Sequence, residues 1–559
     1  MCYFENVNNL KDIFATEYLV VYLIISVISA GLLLLISYKF LQIMQQSGYE
    51  GFGYFKWLSR SDNVYLTRLA IVSILSSFSF LIFNIAFGFS DSPLIFWGSF
   101  TFYIIAIVYY WISEKKRKKK VPIIFTTRML RLILAYALFL ILLNFAIILF
   151  LSTVAFYLKD NPLVVRTRFL PLCFLPAGVP IFVLLAYYIM NPYEYNHQKN
   201  YIKACKKTLQ TRTDLIKIAI TGSYGKTSVK NYLCTILQEK FNVFATPASF
   251  NTPMGICKSV RMLTDEHQIF IAEMGARRKG DIKELAQIIN PDYAIMNGIV
   301  GQHMETFGSL SVIQKTKYEL VENMSDGVVA YTIDNDNTAC LFDNCKIKSI
   351  ACGLNLSKNP TVYAKDLSVT QKGSYFTLVI GDSEIKCYTK LLGTHNISNI
   401  CLASAIAYEL GLGLNEISAG ISRLTPVNHR LNIIETNKNI TIIDDSYNSN
   451  PRGFDAALEV LNLFEGRKIV VTPGIVELGV NEYLENYELG KKLVNKSDIV
   501  ILVGRIGALI IKNGLVEGGF ALENIIQATT LDQAIKKLNE ILRDGDVVLF
   551  ENDLPDKFA

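Results

Sequence analysis

The sequence predicts a membrane α-helical N-terminal domain followed by two α/β domains, and three observations lead to this prediction. Hydrophobic residues make up 51% of the 559 residues and are concentrated in the N-terminal third. After residue 201, short apolar runs alternate with stretches of helical character, as in a doubly wound sheet. A glycine-bearing loop, TGSYGKTS at 221–228, separates one such run from the helix that follows it.

Several apolar stretches in the N-terminal third have the length that a helix needs to cross a bilayer. They are residues 18–38, 66–88, 94–112, 130–158 and 169–190. The last contains Pro171, Pro176 and Pro180, so we expect it to be kinked or re-entrant. The stretch from Met190 to the first strand is expected to act as a flexible tether.

Basic residues between the spans predict their orientation, because such loops stay in the cytoplasm. The run 115–120 lies between the third and fourth spans, and Lys39, Lys56, Arg60 and Arg68 lie between the first and second. We therefore expect a multi-pass protein of the bacterial inner membrane, with its N-terminus outside and its catalytic domains in the cytoplasm. The loop with Lys159, Arg166 and Arg168 disagrees with this orientation.

The charge and the cysteines exclude some classes of protein. A net charge of +6 is mild and gives no reason to expect a nucleic-acid partner. The run 115–120 serves as a topology signal or attracts anionic headgroups, so membrane lipids are expected partners. The ten cysteines show no metal-binding spacing, as in proteins of a reducing compartment.

The remaining sequence predicts two α/β domains. Strands at 216–220, 268–272, 293–296, 327–333 and 347–351 indicate a parallel sheet, and 363–389 reads as a small antiparallel insertion. A second, Rossmann-like unit has strands at 440–443, 468–471, 499–503 and 547–550. The predicted domains are 1–192, 193–426 and 427–559.

The loop at 221–228 predicts a nucleotide site of the P-loop type. Such a loop surrounds phosphates with backbone N–H groups, adds a lysine charge and offers a hydroxyl to Mg²⁺. Ile220 stands where the general pattern has glycine, and Gly222 and Gly225 supply the turn instead. The predicted ATP-binding residues of the loop are Gly222, Ser223, Tyr224, Gly225, Lys226, Thr227 and Ser228.

Further motifs follow the loop in order along the chain. They are FNTPMG at 250–255, AEMGARRKGDI at 272–282, NGIVGQHMETFGS at 297–309, QKTKYE at 314–319, GTHNISN at 393–399, HR at 429–430, DDSYNSNP at 444–451 and ELG at 477–479. Over about 210–555, this series resembles the Mur ligase family, the ATP-dependent amide ligases of peptidoglycan assembly. The branch it is most similar to adds D-alanyl-D-alanine to a UDP-muramoyl tripeptide.

The resemblance implies a mechanism in which ATP phosphorylates a substrate carboxylate and an amine then attacks the acyl phosphate. Lys226 is expected to hold the β- and γ-phosphates, and Thr227 and Glu273 to ligate one Mg²⁺. His303 matches the ligand of a second Mg²⁺. Lys317 matches a lysine that the family carbamylates, which turns a cation into an anion directed toward the metal. Asn297 is expected in the same catalytic group.

The family's closing domain is expected to complete the nucleotide site. Asn399 resembles the residue that meets the adenine, and Arg430 the arginine that reaches the nucleotide from the last domain. Asp445 resembles the carboxylate that meets the ribose region. Asn448 and Asn450 are expected to line the side where the amine substrate binds.

The resemblance does not include the family's UDP-sugar-binding first domain, since the apolar spans stand in its place. The carboxylate acceptor is therefore expected to be lipid-linked or otherwise close to the membrane, with an amino acid, dipeptide or other amine as donor. The alternatives are a membrane-tethered ligase acting on the nucleotide-linked tripeptide and a poly-γ-glutamate-type synthase. A transporter driven by a P-loop ATPase is the alternative from a different class.

Overall fold

A computed structural model describes most of the chain. The described residues are 14–59, 63–87, 93–116, 122–158, 161, 167–301, 304–435, 439–447, 450–476 and 478–552. The chain divides into two compact units, residues 1–197 and residues 198–554, called here the helical unit and the sheet unit. The predicted domain boundaries at 192/193 and 426/427 stay predictions.

The helical unit consists of apolar helices of different lengths. Its helices are α1 (Thr16–Ile36), α2 (Tyr38–Gln46), α3 (Gly51–Leu58), α4 (Val64–Ala86), α5 (Pro93–Lys115), α6 (Thr127–Tyr157) and the first part of α7 (Leu175–Thr211), which a 3-10 turn at Leu170–Phe174 precedes. Tyr22, Leu33, Tyr136 and Val183 belong to one buried cluster, so helices distant in sequence share a core.

Among the described residues, four helical segments are long and apolar enough to cross a membrane. They are Thr16–Ile36, Val64–Ala86, Thr127–Tyr157 and Leu170–Thr211. The third predicted span, 94–112, falls on α5, where several side chains lie outside the described residues. The total of five spans therefore stays a prediction. The last span continues as a helix past Pro180 and Pro192.

The expectation of a flexible tether after Met190 is wrong. Residues 191–211 continue helix α7, and only a few residues separate its end at Thr211 from the first strand at Ile216. Lysine and glutamine, which favour helix, recur along this stretch. Cys205 and Leu209 near its end are buried in a core of the sheet unit, which adds tertiary packing to that preference.

The sheet unit begins with a nine-stranded sheet. Its strands are β1 (Ile216–Thr221), β2 (Val243–Ala245), β3 (Ile269–Glu273), β4 (Tyr293–Met296), β5 (Val328–Thr332), β6 (Lys348–Gly353), β7 (Val362–Thr370), β8 (Gly373–Ile380) and β9 (Ser383–Thr389). Their order is β2-β3-β1-β4-β5-β6-β7-β8-β9, parallel from β2 to β7 and antiparallel across β7, β8 and β9. The predicted parallel sheet with an antiparallel insertion is confirmed.

Helices cover this sheet on both faces. They are α8 (Lys226–Leu237), α9 (Pro253–Val260), α10 (Asp281–Ile289), α11 (Met304–Phe307), α12 (Leu310–Glu322), α13 (Asp336–Asp343), α14 (Thr394–Glu409) and α15 (Leu414–Ser422). Ile218 and Ile220 of β1 point into one core, and Ala219 points into the other. A strand buried on both faces needs an unbroken apolar run, which is what β1 has.

A second sheet of six strands follows. Its strands are β10 (Asn432–Glu435), β11 (Thr441–Asp445), β12 (Lys468–Thr472), β13 (Ile499–Val503), β14 (Ile525–Ala528) and β15 (Val547–Glu551), and its helices are α16 (Pro451–Leu461), α17 (Glu482–Leu493), α18 (Ile506–Glu517) and α19 (Leu531–Ile541). The order β10-β11-β15-β12-β13-β14 is parallel except for the edge strand β10. This is the predicted second α/β unit.

Candidate active site

The loop between β1 and α8 has a backbone that requires glycine. Gly225, which caps α8, has φ +73°, and Gly222 has φ +152°. A Cβ added to Gly225 would collide with the amide of Asn297. Ser223 fixes the loop from the other side: its Oγ lies 3.1 Å from both the N and the O of Val300. The loop is therefore held open at the N-terminus of α8, where backbone N–H groups attract anions.

Lys226, the first residue of α8, turns back over the loop. Its Nζ donates hydrogen bonds to the carbonyl oxygens of Gly222 (2.8 Å) and Ser223 (3.2 Å). Burial lowers the pKa of Lys226 to about 8. The positive charge of Arg430 also lowers this pKa, whereas the Glu273 carboxylate raises it in part. A phosphate in the loop would supply the charge partner that burial otherwise denies this ammonium.

Glu273, the last residue of β3, is the buried acid of the site. Its carboxylate accepts hydrogen bonds from Thr227 Oγ1 (2.9 Å) and Asn251 Nδ2 (3.1 Å). Lys230 Nζ lies 3.3 Å from the same carboxylate, and both side chains are only 2% exposed. Burial alone would raise the pKa of Glu273, but Lys226 and Lys230 outweigh it and lower that pKa. The acid therefore stays ionised at neutral pH.

These oxygen donors fit a single Mg²⁺. This ion prefers oxygen ligands and usually keeps several waters, so one or two protein ligands and a phosphate suffice. Thr227 and Glu273 supply those two ligands side by side. The described part of the chain contains no group of three or more His, Cys, Asp or Glu that could hold a metal. His303, predicted to ligate a second ion, lies outside the described residues.

Lys317 on α12 is buried, with 3% of its surface exposed. Burial holds the pKa of Lys317 well below its usual value, and the charge of Lys226 lowers it further. Glu319, two residues on, accepts hydrogen bonds from the backbone N–H groups of Gly280 (2.9 Å) and Lys283 (3.0 Å). The 274–280 loop after β3 is thereby fixed to α12, which sets the position of Lys317 relative to Glu273.

Two asparagines connect the loop to the neighbouring elements. Asn297, just after β4, donates from Nδ2 to Asn399 Oδ1 of α14 at 2.9 Å. Its own Oδ1 accepts the backbone N–H of Gly298 at 2.7 Å. Both side chains are buried, so each polar group has a fixed direction next to Gly225.

The second sheet contributes its residues from β11 and the turn before β10. Asp445 Oδ1 accepts the backbone N–H of Leu431 at 3.2 Å, and the Arg430 guanidinium lies 4.8 Å from the ring of Tyr447. Burial raises the pKa of Asp445 to about 6, although Arg430 opposes this. The carboxylate of the neighbouring Asp444 lies 2.7 Å from His429 Nδ1 and is therefore occupied by a contact within its own sheet.

A cavity of about 400 Å³ separates the two sheets. Of the predicted site residues, it is lined by Tyr224, Gly225, Ser228, Asn297, Asn399, Arg430, Asp445 and Asn450. The predicted phosphate and metal residues Lys226, Thr227, Glu273 and Lys317 are not among its lining residues and cluster around the start of α8 instead. A polar cavity beside a phosphate loop has the arrangement that a bound nucleotide requires.

Of the two residues predicted on the amine side, the structure describes only Asn450. Asn450 lines the cavity, but its Oδ1 caps α16 by accepting the Gly453 N–H at 3.0 Å. The residue type is therefore explained at least in part by helix capping. Asn448 lies outside the described residues, and both assignments stay predictions.

Sequence reasoning missed several residues of the site. Lys230, the partner of Glu273, lies one turn after Lys226 on α8, and this i, i+4 spacing was the available signal. Asn251 lies inside the quoted FNTPMG motif but received no role. Arg452, whose Nη1 donates to Tyr224 Oη at 3.2 Å, gave no local signal because its partner is distant in sequence.

Comparisons with known proteins agree with this geometry. The model of the Mur ligase middle domain matches residues 220–407, and that of the Mur ligase glutamate ligase domain matches 429–551. The UDP-N-acetylmuramoyl-tripeptide–D-alanyl-D-alanine ligase of Haemophilus influenzae is 31% identical over 310 residues, which cover 54% of this chain and 67% of that protein. The equivalent ligase of Bacillus subtilis is 29% identical, over 62% of this chain and 74% of its own length.

Solved structures give the same result. A crystal structure of MurF from Acinetobacter baumannii superposes with a TM-score of 0.58 at 26% identity, covering 64% of this chain and 77% of its own. MurF from Thermotoga maritima in complex with ADP gives 0.57 at 25% identity, covering 64% and 80%. The chain spans less than two thirds of some curated relatives, for example 63% of a Buchnera aphidicola ligase.

Proposed function

Because this chain belongs to the Mur ligase family, we propose that it is an ATP-dependent ligase that joins a carboxylate to an amine. The observation that carries the proposal is the group formed by Lys226, Thr227 and Glu273 at the start of α8, next to the cavity between the sheets. This group combines a phosphate loop, a cation and oxygen donors for a metal, which transfer of a phosphoryl group requires.

The proposed reaction has two steps. The substrate carboxylate attacks the γ-phosphorus of ATP, and ADP leaves with the electron pair of the broken P–O bond. The amine then attacks the carbonyl carbon of the acyl phosphate, inorganic phosphate leaves, and the amine nitrogen loses a proton. Lys226 is positioned to hold the transferring group, because its Nζ already lies over the loop carbonyls.

The metal part of the proposal rests on Thr227 and Glu273. A bound Mg²⁺ would neutralise charge on the phosphates during transfer. Lys230 and Asn251 hold the Glu273 carboxylate in place through an ion pair and a hydrogen bond. A second Mg²⁺ at His303 remains part of the proposal.

We also propose that Lys317 is carbamylated. Carbon dioxide reacts with a neutral amine. Burial holds the pKa of Lys317 well below its usual value, which favours the neutral form. Lys226 is close enough to repel a charge on Lys317, and the attraction of Asp281, Glu319 and Glu273 does not offset the burial. Carbamylation would convert this neutral amine into an anion beside Lys226.

Two acceptors compete within this proposal. The names of the relatives favour a UDP-linked muramoyl tripeptide with D-alanyl-D-alanine as the amine. The helical unit favours an acceptor carried by a lipid, because its apolar helices precede the first residue matched by the family models, 220. In both cases we propose a cytoplasmic-membrane location with the sheet unit in the cytoplasm.

The test uses the full-length protein in lipid nanodiscs with ATP and Mg²⁺. One arm adds UDP-muramoyl tripeptide and D-alanyl-D-alanine, and the other adds D-alanyl-D-alanine with a lipid extract that carries carboxylated glycans. ADP release that needs both acceptor and amine, with a product mass equal to their sum minus one water, supports ligation. The arm that gives product identifies the acceptor. ADP release independent of both substrates contradicts the ligase and favours a P-loop-driven transporter.

A further inference from the structure

A second cavity, of about 330 Å³, lies within the helical unit and has no role in the proposed reaction. It forms where the end of α1 and the start of α2 meet the end of α5. Its polar and aromatic lining consists of Tyr38, Lys39, Tyr110, Trp111, Glu114 and Lys115.

The charge around this cavity is positive. Glu114 is already neutralised, because Arg68 Nη1 lies 2.6 Å from its Oε1. Lys115 Nζ lies 5.2 Å from the centre of the Trp111 ring, and Lys39 Nζ lies 5.4 Å from that of Tyr65. Among the described residues that line the cavity, Lys39 and Lys115 are cations, and the carboxylate of Glu114 pairs with Arg68, so an anion is the ligand that this lining favours.

The cavity is bordered by apolar surface as well as by charge. Leu35 of α1 lines it and is 41% exposed, and Ile105 and Ile112 of α5 are also exposed. Aromatic side chains at the ends of apolar helices are typical of the depth where headgroups meet hydrocarbon. A ligand that combines an anionic head with apolar chains would match both parts of the surface.

We propose that this cavity binds the phosphate headgroup of an anionic phospholipid. Lys39 and Lys115 contact the phosphate, the rings of Tyr38 and Trp111 border the glycerol region, and the acyl chains follow the exposed faces of α1 and α5. The site is independent of the acceptor and of the ligation chemistry, so it stands or falls separately from the proposed function.

The experiment measures lipid binding to the full-length protein by native mass spectrometry, with phosphatidylglycerol or phosphatidylcholine as the probe. The variant Lys39→Gln/Lys115→Gln removes both lining cations. The control Lys56→Gln/Lys116→Gln makes the same charge change at lysines that do not line the cavity. Each lysine near an anionic lipid contributes about fivefold to affinity, so the first variant is expected to lose about 25-fold for phosphatidylglycerol. The control and the variant Lys39→Arg/Lys115→Arg are expected to stay near the wild type.

Three results overturn the proposal. One is equal loss in the Lys56/Lys116 control, since the effect would then be general surface charge. Another is equal affinity for phosphatidylglycerol and phosphatidylcholine, since the headgroup charge would then have no role. Displacement of the lipid by millimolar inorganic phosphate would show a site for free phosphate and would overturn the lipid assignment. A folding defect is recognised because the Arg variant would fail together with the Gln variant.

Discussion

The helical unit and the sheet unit differ in how much apolar side-chain surface they expose. In the sheet unit, Ile218 and Ile220 are fully buried in the core. In the helical unit, Leu134 and Leu142 on α6 are 69% and 59% exposed, whereas Asn144 on the same helix is completely buried. Both units have apolar cores, but only the helical unit combines an extensive apolar exterior with polar groups, such as Asn144, packed between its helices.

This difference shows which force holds each unit together. Water drives apolar side chains inward in the sheet unit. The outer face of the helical unit suits hydrocarbon, where helix association depends on packing and on hydrogen bonds between helices. Ser29 Oγ of α1 donates to Asn144 Oδ1 of α6 at 2.8 Å, and Ser37 and Tyr136 share a hydrogen bond of 2.7 Å between the same two regions. The comparison supports the proposed membrane location.

The largest expected effect falls on the sheet unit. Lys317→Ala should abolish ADP formation, because the variant lacks the anion that carbamylated Lys317 would supply. Acetate or formate should restore part of the activity by occupying the vacated space. The matched control is Lys315→Ala, since Lys315 is exposed on the same helix. Full activity of the Lys317 variant, or no rescue by either acid together with an unmodified lysine by mass spectrometry, would exclude carbamylation.

The next effect is that of Lys226→Ala. Loss of a cation that stabilises the transferring phosphoryl group should lower the rate of ADP formation about 100-fold or more. Membrane association should remain unchanged, because Lys226 lies in the sheet unit. Lys240→Ala, which removes an exposed lysine after the same helix, is the control. Near-wild-type ligation by Lys226→Ala would contradict the assignment of the loop.

Regular elements of this site could be predicted because their signals are local. The strand before the loop was predicted at 216–220 and β13 at 499–503, since continuous β-branched runs between turns indicate buried strands. The short edge strand β2 and the antiparallel β10 were missed, because three or four residues give too little periodicity. The helical course of 191–211 was missed because its packing partners lie elsewhere in the chain.

The residues of the site were likewise predictable where a local motif contained them and unpredictable where only the fold brings them together. Lys226, Thr227 and Glu273 were placed together by motifs, and the structure does bring them together. The contact of Arg452 with Tyr224 links residues more than two hundred positions apart, which no local pattern encodes. The exposed apolar face and the polar interior face of the helical unit could not be separated from the sequence either, because its helices are apolar almost all round.

The pH dependence of the sheet unit should reflect two buried groups. Lys226 has a pKa of about 8, so above pH 8 it loses the proton that makes it attractive to phosphate. Asp445 has a pKa of about 6, so below pH 6 it becomes protonated and accepts ribose hydroxyls less well. The kcat/KM for ATP should therefore be bell-shaped, falling about tenfold per pH unit outside these limits. Asp445→Asn should remove the acid limb alone; an acid limb that persists in this variant belongs to another group.

The smallest effect tests the polar interior of the helical unit. The contact between Ser29 and Asn144 joins α1 to α6, and such bonds between membrane helices contribute about 0.6 kcal/mol and at most about 2 kcal/mol. A double-mutant cycle with Ser29→Ala and Asn144→Ala, measured by unfolding in mixed micelles, should give a coupling free energy in this range. Thr153→Val is the control, because the side-chain hydrogen bond of Thr153 stays within α6, to the Leu149 carbonyl. ATP turnover should not change in any of these variants. A coupling free energy of zero would mean that packing alone joins α1 to α6, and the contrast between the two units would then lie in their surfaces and not in their interiors.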